Sequence, residues 1–210
     1  MPAGQLDAPA GRARAVLIDV GGVLLGGEPA PWPAWSARLG ISPASLLGAV
    51  FGGSDDRVLI GAMNEDDWWD VVRGRLGIGA NLLAGLRRDL ASWGAWDRAL
   101  LGCLGRVRGR ARTAVVSNCW PHMRGRLVSG GVTALVDDVV LSCEAGWAKP
   151  DPRIYAEALA RLGAEPGDAL FVDDTEGNVA AARSLGLAGH QHVAAAGTIA
   201  AIGRFLAPGP

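Results

Sequence analysis

The sequence predicts an α/β fold: a parallel sheet covered by helices, with a small all-helical segment inserted after the first strand. Three observations predict it. Residues 15–25, AVLIDVGGVLL, form an apolar run with β-branched residues and closing glycines, the pattern of a strand buried on both faces. From Thr113 onward, short β-branched runs alternate with helical stretches, as βαβ units do. Between Trp35 and about Leu104 the periodicity is helical, and no strand stands out.

Each element has its own local reason. Residues 26–33, GGEPAPWP, read as a turn-rich exit loop, followed by a helix over 35–39. Ser42 before Pro43 supplies an N-cap and a first-turn proline for a helix over 43–51. Asn64 followed by Glu65, Asp66 and Asp67 places a cap and then acids at a positive helix end. That helix runs through Trp68, Trp69, Val72 and Leu76 to a stop at Gly77. Helices over 80–90 and 96–106 follow. The sheet resumes at 113–116, ending at Ser117 and Asn118, then at 139–142, 169–172 and 187–192. Helices are predicted at 123–129, 151–162, 178–185 and 198–206.

With 210 residues, half of them hydrophobic, the chain can build one sizeable core and a small accessory domain. A net charge of −1 gives no ground for a nucleic-acid partner. No apolar run approaches the roughly 18 residues of a membrane span. The first residues lack the apolar stretch of a secretory signal, and residues 1–13 read as a disordered lead-in. Cys103, Cys119 and Cys143 are far apart with no CxxC pair, which suits a reducing cytoplasm. Lys149 is the single lysine beside 19 arginines. A compact ammonium fits where one cation must approach a carboxylate and a phosphate together.

Polar residues gather at four strand ends: Asp19, Ser117 with Asn118, Lys149, and Asp173 with Asp174. In a parallel sheet the carboxyl ends share one edge, where open α/β folds bind ligands. Gly21 and Gly22 let the backbone turn sharply beside a small ligand. Singly, each residue has a plainer reading: a turn cap, a strand-to-helix turn, a helix cap or a solvated charge. Jointly they suit phosphoryl chemistry. A phosphate ester repels anionic nucleophiles, so its charge must be neutralised while an oxygen is held in line. Asp19 supplies that oxygen, and Asp173 and Asp174 are the hard ligands Mg²⁺ takes.

The motifs IDVGGVL, VVSN, the lysine of KPDP, and FVDDTEGN, in this order, resemble those of the haloacid dehalogenase-like (HAD) hydrolase superfamily. The resemblance implies a Rossmann-like core over residues 14–26 and 107–210, with a helical cap over 27–106. It implies Mg²⁺ held by Asp19, the backbone carbonyl of Gly21 and Asp174, with Asp173 acting through water. It assigns Ser117, Asn118, Lys149 and Gly22 to the phosphate, makes Asp19, Ser117 and Lys149 catalytic, and gives Asn178 a supporting role behind the metal. The expected substrate is a small phosphorylated metabolite in the cytoplasm; oligomeric state is not readable.

The pattern breaks at Gly21. Most phosphatases of the superfamily carry a second Asp there, which protonates the leaving alcohol, and glycine transfers no proton. The chain resembles the branch with a DxG first motif, that of glucose-1-phosphatase and the N-terminal phosphatase of bifunctional epoxide hydrolases. Two alternatives stand beside a phosphatase. One is a catalytically impaired binding or regulatory protein. The other is a metal-independent dehalogenase, against which the Asp173–Asp174 pair argues, since those charges need a cation among them. Asp55 or Asp56 could supply the missing acid from the cap. Cys119 and His122 could form a thiol–imidazole pair, though a packed cysteine and a surface histidine fit better. Trp32, Trp35, Trp68, Trp69, Trp93 and Trp96 read as cap core, with Trp32 or Trp35 also available to a leaving group. His190 and His192 read as structural.

Overall fold

The computed structural model describes residues 14–27, 30–52 and 57–207. The lead-in expected at 1–13, and Asp55 and Asp56, lie outside the described residues. In chain order the elements are β1 (Ala15–Ile18), β2 (Leu25–Gly26), α1 (Trp32–Leu39), α2 (Pro43–Phe51), α3 (Glu65–Leu76), α4 (Ala80–Ser92), β3 (Ala95–Trp96) and α5 (Arg98–Val107). They continue with β4 (Arg112–Ser117), α6 (Met123–Ser129), β5 (Asp138–Leu141), α7 (Ser142–Ala145), α8 (Pro152–Leu162), β6 (Ala169–Asp173), α9 (Glu176–Ser184), β7 (Ala188–Gln191) and α10 (Ala195–Leu206).

Five strands form a parallel, Rossmann-like sheet in the order β5-β4-β1-β6-β7, which puts β1 at its centre. Alternation along each strand builds two cores. Val16, Ile18, Val115, Leu170 and Val172 face one cluster, shared with α5. Ala15, Leu17, Ala114, Val116 and Phe171 face the other, under α8 and α9. Burial of each large aliphatic side chain contributes about 1.5–3 kcal/mol, so the centre of the sheet is the rigid frame of the molecule. No described helix is long and apolar enough to cross a membrane.

The strand expected over 15–25 ends at Ile18. Gly22 takes φ +72°, and the amide of Leu25 donates back to the Val20 carbonyl at 2.8 Å, so the chain folds into a tight loop. Val23 and Leu24 stay buried within that loop, which explains why the apolar run outlasts the strand.

Helices α1 to α4 enclose their own cluster, with Trp35, Trp68, Trp69, Val72 and Leu86 at its centre. Their ends follow the sequence closely. Ser42 accepts from the Ser45 amide at 3.0 Å, Asn64 accepts from the Asp67 amide at 2.8 Å, and Gly77 closes α3 at φ +62°. Each N-cap contributes about 1 kcal/mol.

Two features of the insert differ from the expectation of helices throughout. Leu25–Gly26 and Ala95–Trp96 pair antiparallel, a ribbon that carries the chain out to the helices and back. The helix expected from Trp96 starts at Arg98, because Asp97 caps it by accepting from the Leu100 amide at 2.9 Å. That helix, α5, buries Leu100, Leu101, Leu104 and Val107 in the sheet's core rather than in the insert's cluster. Trp96 likewise packs on the sheet's core, and a Cβ on Gly130 would meet its indole at 2.3 Å.

Candidate active site

Asp19 follows the last residue of β1 and extends its ladder: its amide donates to the Val172 carbonyl of β6 at 2.9 Å. Ser117 ends β4 and Asp173 ends β6, both buried. The parallel register therefore delivers three of the motif residues to one edge. Lys149 reaches the same edge from the loop before α8. Its Nζ lies 2.8 Å from Asp19 Oδ1 and 2.6 Å from Asp173 Oδ2. The ammonium is almost wholly buried, as are both carboxylates.

Other side chains hold this group in place. Asn118 Oδ1 accepts from the Lys149 amide at 2.7 Å, and its Nδ2 donates to the Lys149 carbonyl at 2.8 Å. Its amide group thus fixes the lysine's backbone, while the sequence reading aimed it at substrate. Asp173 Oδ1 accepts from the Thr175 amide at 2.8 Å and from Asn178 Nδ2 at 3.1 Å. The Tyr155 hydroxyl donates to the Asn178 carbonyl at 2.9 Å, and its ring meets Phe171 edge-on at 5.1 Å. Asp174 is exposed, and Gln191 anchors its backbone carbonyl at 3.1 Å.

Burial pushes the Asp19 carboxyl above its ordinary range; Lys149 opposes this and Asp173 adds to it. Burial also works against the charge on Lys149, but Asp19 and Asp173 outweigh it and hold the ammonium above its usual range. One cation thus faces three carboxylates. Oxygens of Asp19, Asp173 and Asp174 lie within 4.8 Å of one another. Asp19 Oδ1 is buried with an ion pair but no well-aligned hydrogen bond. A Cβ on Gly22 would sit 2.2 Å from Asp174 Oδ2, so only glycine leaves the Asp174 carboxylate its place. Clustered hard oxygens, an under-bonded buried carboxylate and surplus negative charge fit a small divalent cation.

Gly21 stands on the wall of a cleft between this edge and the helical insert. A Cβ there would have nothing within 4 Å, so sterics do not exclude a side chain. Cys119 and His122 do not form a pair. His122 Nδ1 lies 3.0 Å from Glu65 Oε1, and its amide donates to Glu65 Oε2 at 3.0 Å. Cys119 lies beside Cys143, and a hydrogen bond with that thiol together with burial pushes its own thiol well above the usual range. Trp35 is sealed in the insert, its Nε1 donating to Asp89 at 3.1 Å, whereas Trp32 lines the cleft. His190 and His192 both bond Thr198 Oγ1, at 3.1 and 2.8 Å.

Sequence reasoning missed the Glu65–His122 contact. Glu65 reads locally as a first-turn acid, yet it joins α3 to the loop after β4. Burial works against its charge, but hydrogen bonds from His122 and Trp69 hold its carboxyl down at about 2. The burial of Trp120 in the insert's cluster was also missed, and only a motif linking cap to core would have signalled it.

A family model described as haloacid dehalogenase-like hydrolase matches residues 13–186. The chain belongs to the haloacid dehalogenase-like hydrolases. Among relatives in this family, acyl-CoA dehydrogenase family member 10 of Mus musculus is 27% identical over 188 residues, 83% of this chain and 17% of its own length. The chloroplast flavin mononucleotide hydrolase 1 of Arabidopsis thaliana is 48% identical over 48 residues, 23% of this chain and 20% of its own. The chain therefore spans about a fifth or less of these two relatives' lengths. A HAD-family enzyme of Bacteroides thetaiotaomicron, solved with magnesium and inorganic phosphate, superimposes with a TM-score of 0.71 at 20% identity. That match covers 87% of this chain and 95% of the other, and it establishes the shared fold.

Proposed function

We propose that this hydrolase is a Mg²⁺-dependent phosphomonoesterase acting on a small phosphorylated metabolite. The observation that carries the reading is Lys149 set between Asp19 and Asp173, with Asp174 beside them. Asp19, Asp174 and the Gly21 carbonyl would hold the metal, with Asp173 behind them. Its chemistry there is to screen the repulsion between Asp19 and the phosphate. The Asp19 carboxylate attacks phosphorus, the P–O bond to the leaving group breaks, the departing alkoxide takes a proton from water, and a further water then hydrolyses the aspartyl-phosphate. Lys149 stabilises charge developing on the phosphoryl oxygens, and the Ser117 hydroxyl donates to one of them. Asn118 positions Lys149, and Asn178 positions Asp173. Helices α1 to α4 act as a cap that excludes bulk water, and α5 belongs with the core. The mixture of free cysteines and a net charge near zero fits a cytoplasmic enzyme with no nucleic-acid partner.

A panel of phosphate monoesters assayed with and without Mg²⁺ tests the reading. Turnover that depends on Mg²⁺ and disappears in Asp19→Asn supports it. One observation favours a second reading: no side chain at Gly21 can protonate the leaving group, a step typically worth about 10²–10⁴ in rate. Esters that bind without turnover would identify a binding protein. Halide release in the presence of a chelator would identify a dehalogenase.

A further inference from the structure

The cleft beside the catalytic edge is a cavity of about 350 Å³ that shares Gly21, Asn118 and Cys119 with that edge. Beyond them its wall is largely apolar, with the rings of Trp32, Phe51, Trp93 and Trp120 set among leucines and Met123. The Phe51 and Trp120 rings stack at 5.5 Å and 26°, and Trp32 meets Phe51 edge-on at 5.3 Å. Phe51 is 58% exposed at the end of a helix that buries Leu46 and Val50 and leaves Leu47 partly in water. A large ring left in water at the mouth of a cavity marks a contact surface.

The polar side chains on this wall are partly tied to the protein itself. His122 Nδ1 is taken by Glu65. Arg126 Nη2 donates to the carbonyls of Ser92 and Gly94 at 3.3 and 3.0 Å. The Asn118 amide holds the Lys149 backbone. Among the described residues no carboxylate lines the wall. A sugar or polyol bound here would lose its water and find few carboxylates or amides to replace it, a cost that disfavours hydroxyl-rich groups. A flat apolar ring loses nothing of that kind and gains faces to stack on.

Resting on the phosphatase reading, we infer that the substrate is a phosphomonoester whose leaving group carries a planar aromatic ring, which lies against the exposed face of Phe51 beside Trp32. Hydroxyl-rich phosphates are the class this wall disfavours.

The test compares 3-phenylpropyl phosphate with propyl phosphate, esters of alcohols of similar acidity, so that only the ring differs. The expected kcat/KM is at least about tenfold higher for the phenyl ester. Phe51→Ala, at an exposed position, narrows that ratio severalfold. A separate readout is quenching of tryptophan fluorescence by 3-phenylpropanol, with weaker binding in Phe51→Ala. Equal kcat/KM for the two esters, or a ratio indifferent to Phe51→Ala, overturns the inference and leaves the phosphatase reading standing. No hydrolysis of the phenyl ester while other monoesters of the panel turn over in Mg²⁺ also overturns the inference; failure of the whole panel removes the phosphatase reading, and the inference with it.

Discussion

The catalytic edge and the cap wall face each other across one cleft, yet they are built on opposite terms. On the edge, four ionisable side chains crowd together and the surrounding amides hold them in register. On the wall, aromatic rings present faces with few polar groups, and those few are bound to the protein itself. In the proposed phosphatase the edge would recognise what all phosphate esters share and the wall what distinguishes one ester from another, so chemistry and selectivity would fall to different layers of the fold, joined at Gly21 and Asn118.

The largest expected effect comes from the edge. Lys149→Met would leave Asp19 and Asp173 buried without their shared cation. Turnover should fall at least about 10³-fold. Unfolding in urea should show a loss of about 3–5 kcal/mol, the usual cost of breaking a buried ion pair. Turnover that survives this change would move the reaction away from the edge altogether.

Gly21→Asp crosses the boundary between the two regions, since Gly21 lines the cleft and lies two residues beyond Asp19. The space for a side chain is open there. Turnover of alkyl phosphates, which leave poorly, should rise about 10- to 100-fold, with less gain for aryl phosphates. A uniform fall would mean that lack of an acid is not what limits this site.

The smallest effect concerns the contact that seats the cap on the edge. The Glu65 carboxyl titrates at about 2, below its ordinary 4.5. Its contribution is therefore present above about pH 4.5 and lost as pH falls toward 2. Glu65→Gln should lower stability by about 2 kcal/mol at pH 7 by urea unfolding, and the gap from the parent should close in acid. A gap that is constant with pH would show that the charge on Glu65 is not what matters.

Much of the edge was legible in the sequence because a parallel sheet turns strand order into spatial order. Asp19, Ser117 and Asp173 sit at strand ends, and the parallel pairing of β1 with β4 and β6 brings those ends to one edge. The caps at Ser42, Asn64 and Gly77 were equally readable, since each depends on residues within a few positions. What escaped was non-local. The β2–β3 ribbon has two residues per strand, too few to show a period. The Asn118–Lys149 and Glu65–His122 contacts join residues 31 and 57 positions apart, through hydrogen bonds that no local pattern encodes. The faces of α5 were visible as apolar, but not whether they met the insert or the sheet.

Trp120 belongs to the loop that follows Ser117, yet its indole is buried among the helices of the cap. The helical bundle is therefore not a cassette that can be lifted out and grafted elsewhere. Excised alone, it would present a hole the size of an indole, and the parent left behind would expose a tryptophan to water. Exchanging selectivity between relatives of this fold would require carrying that loop along with the bundle.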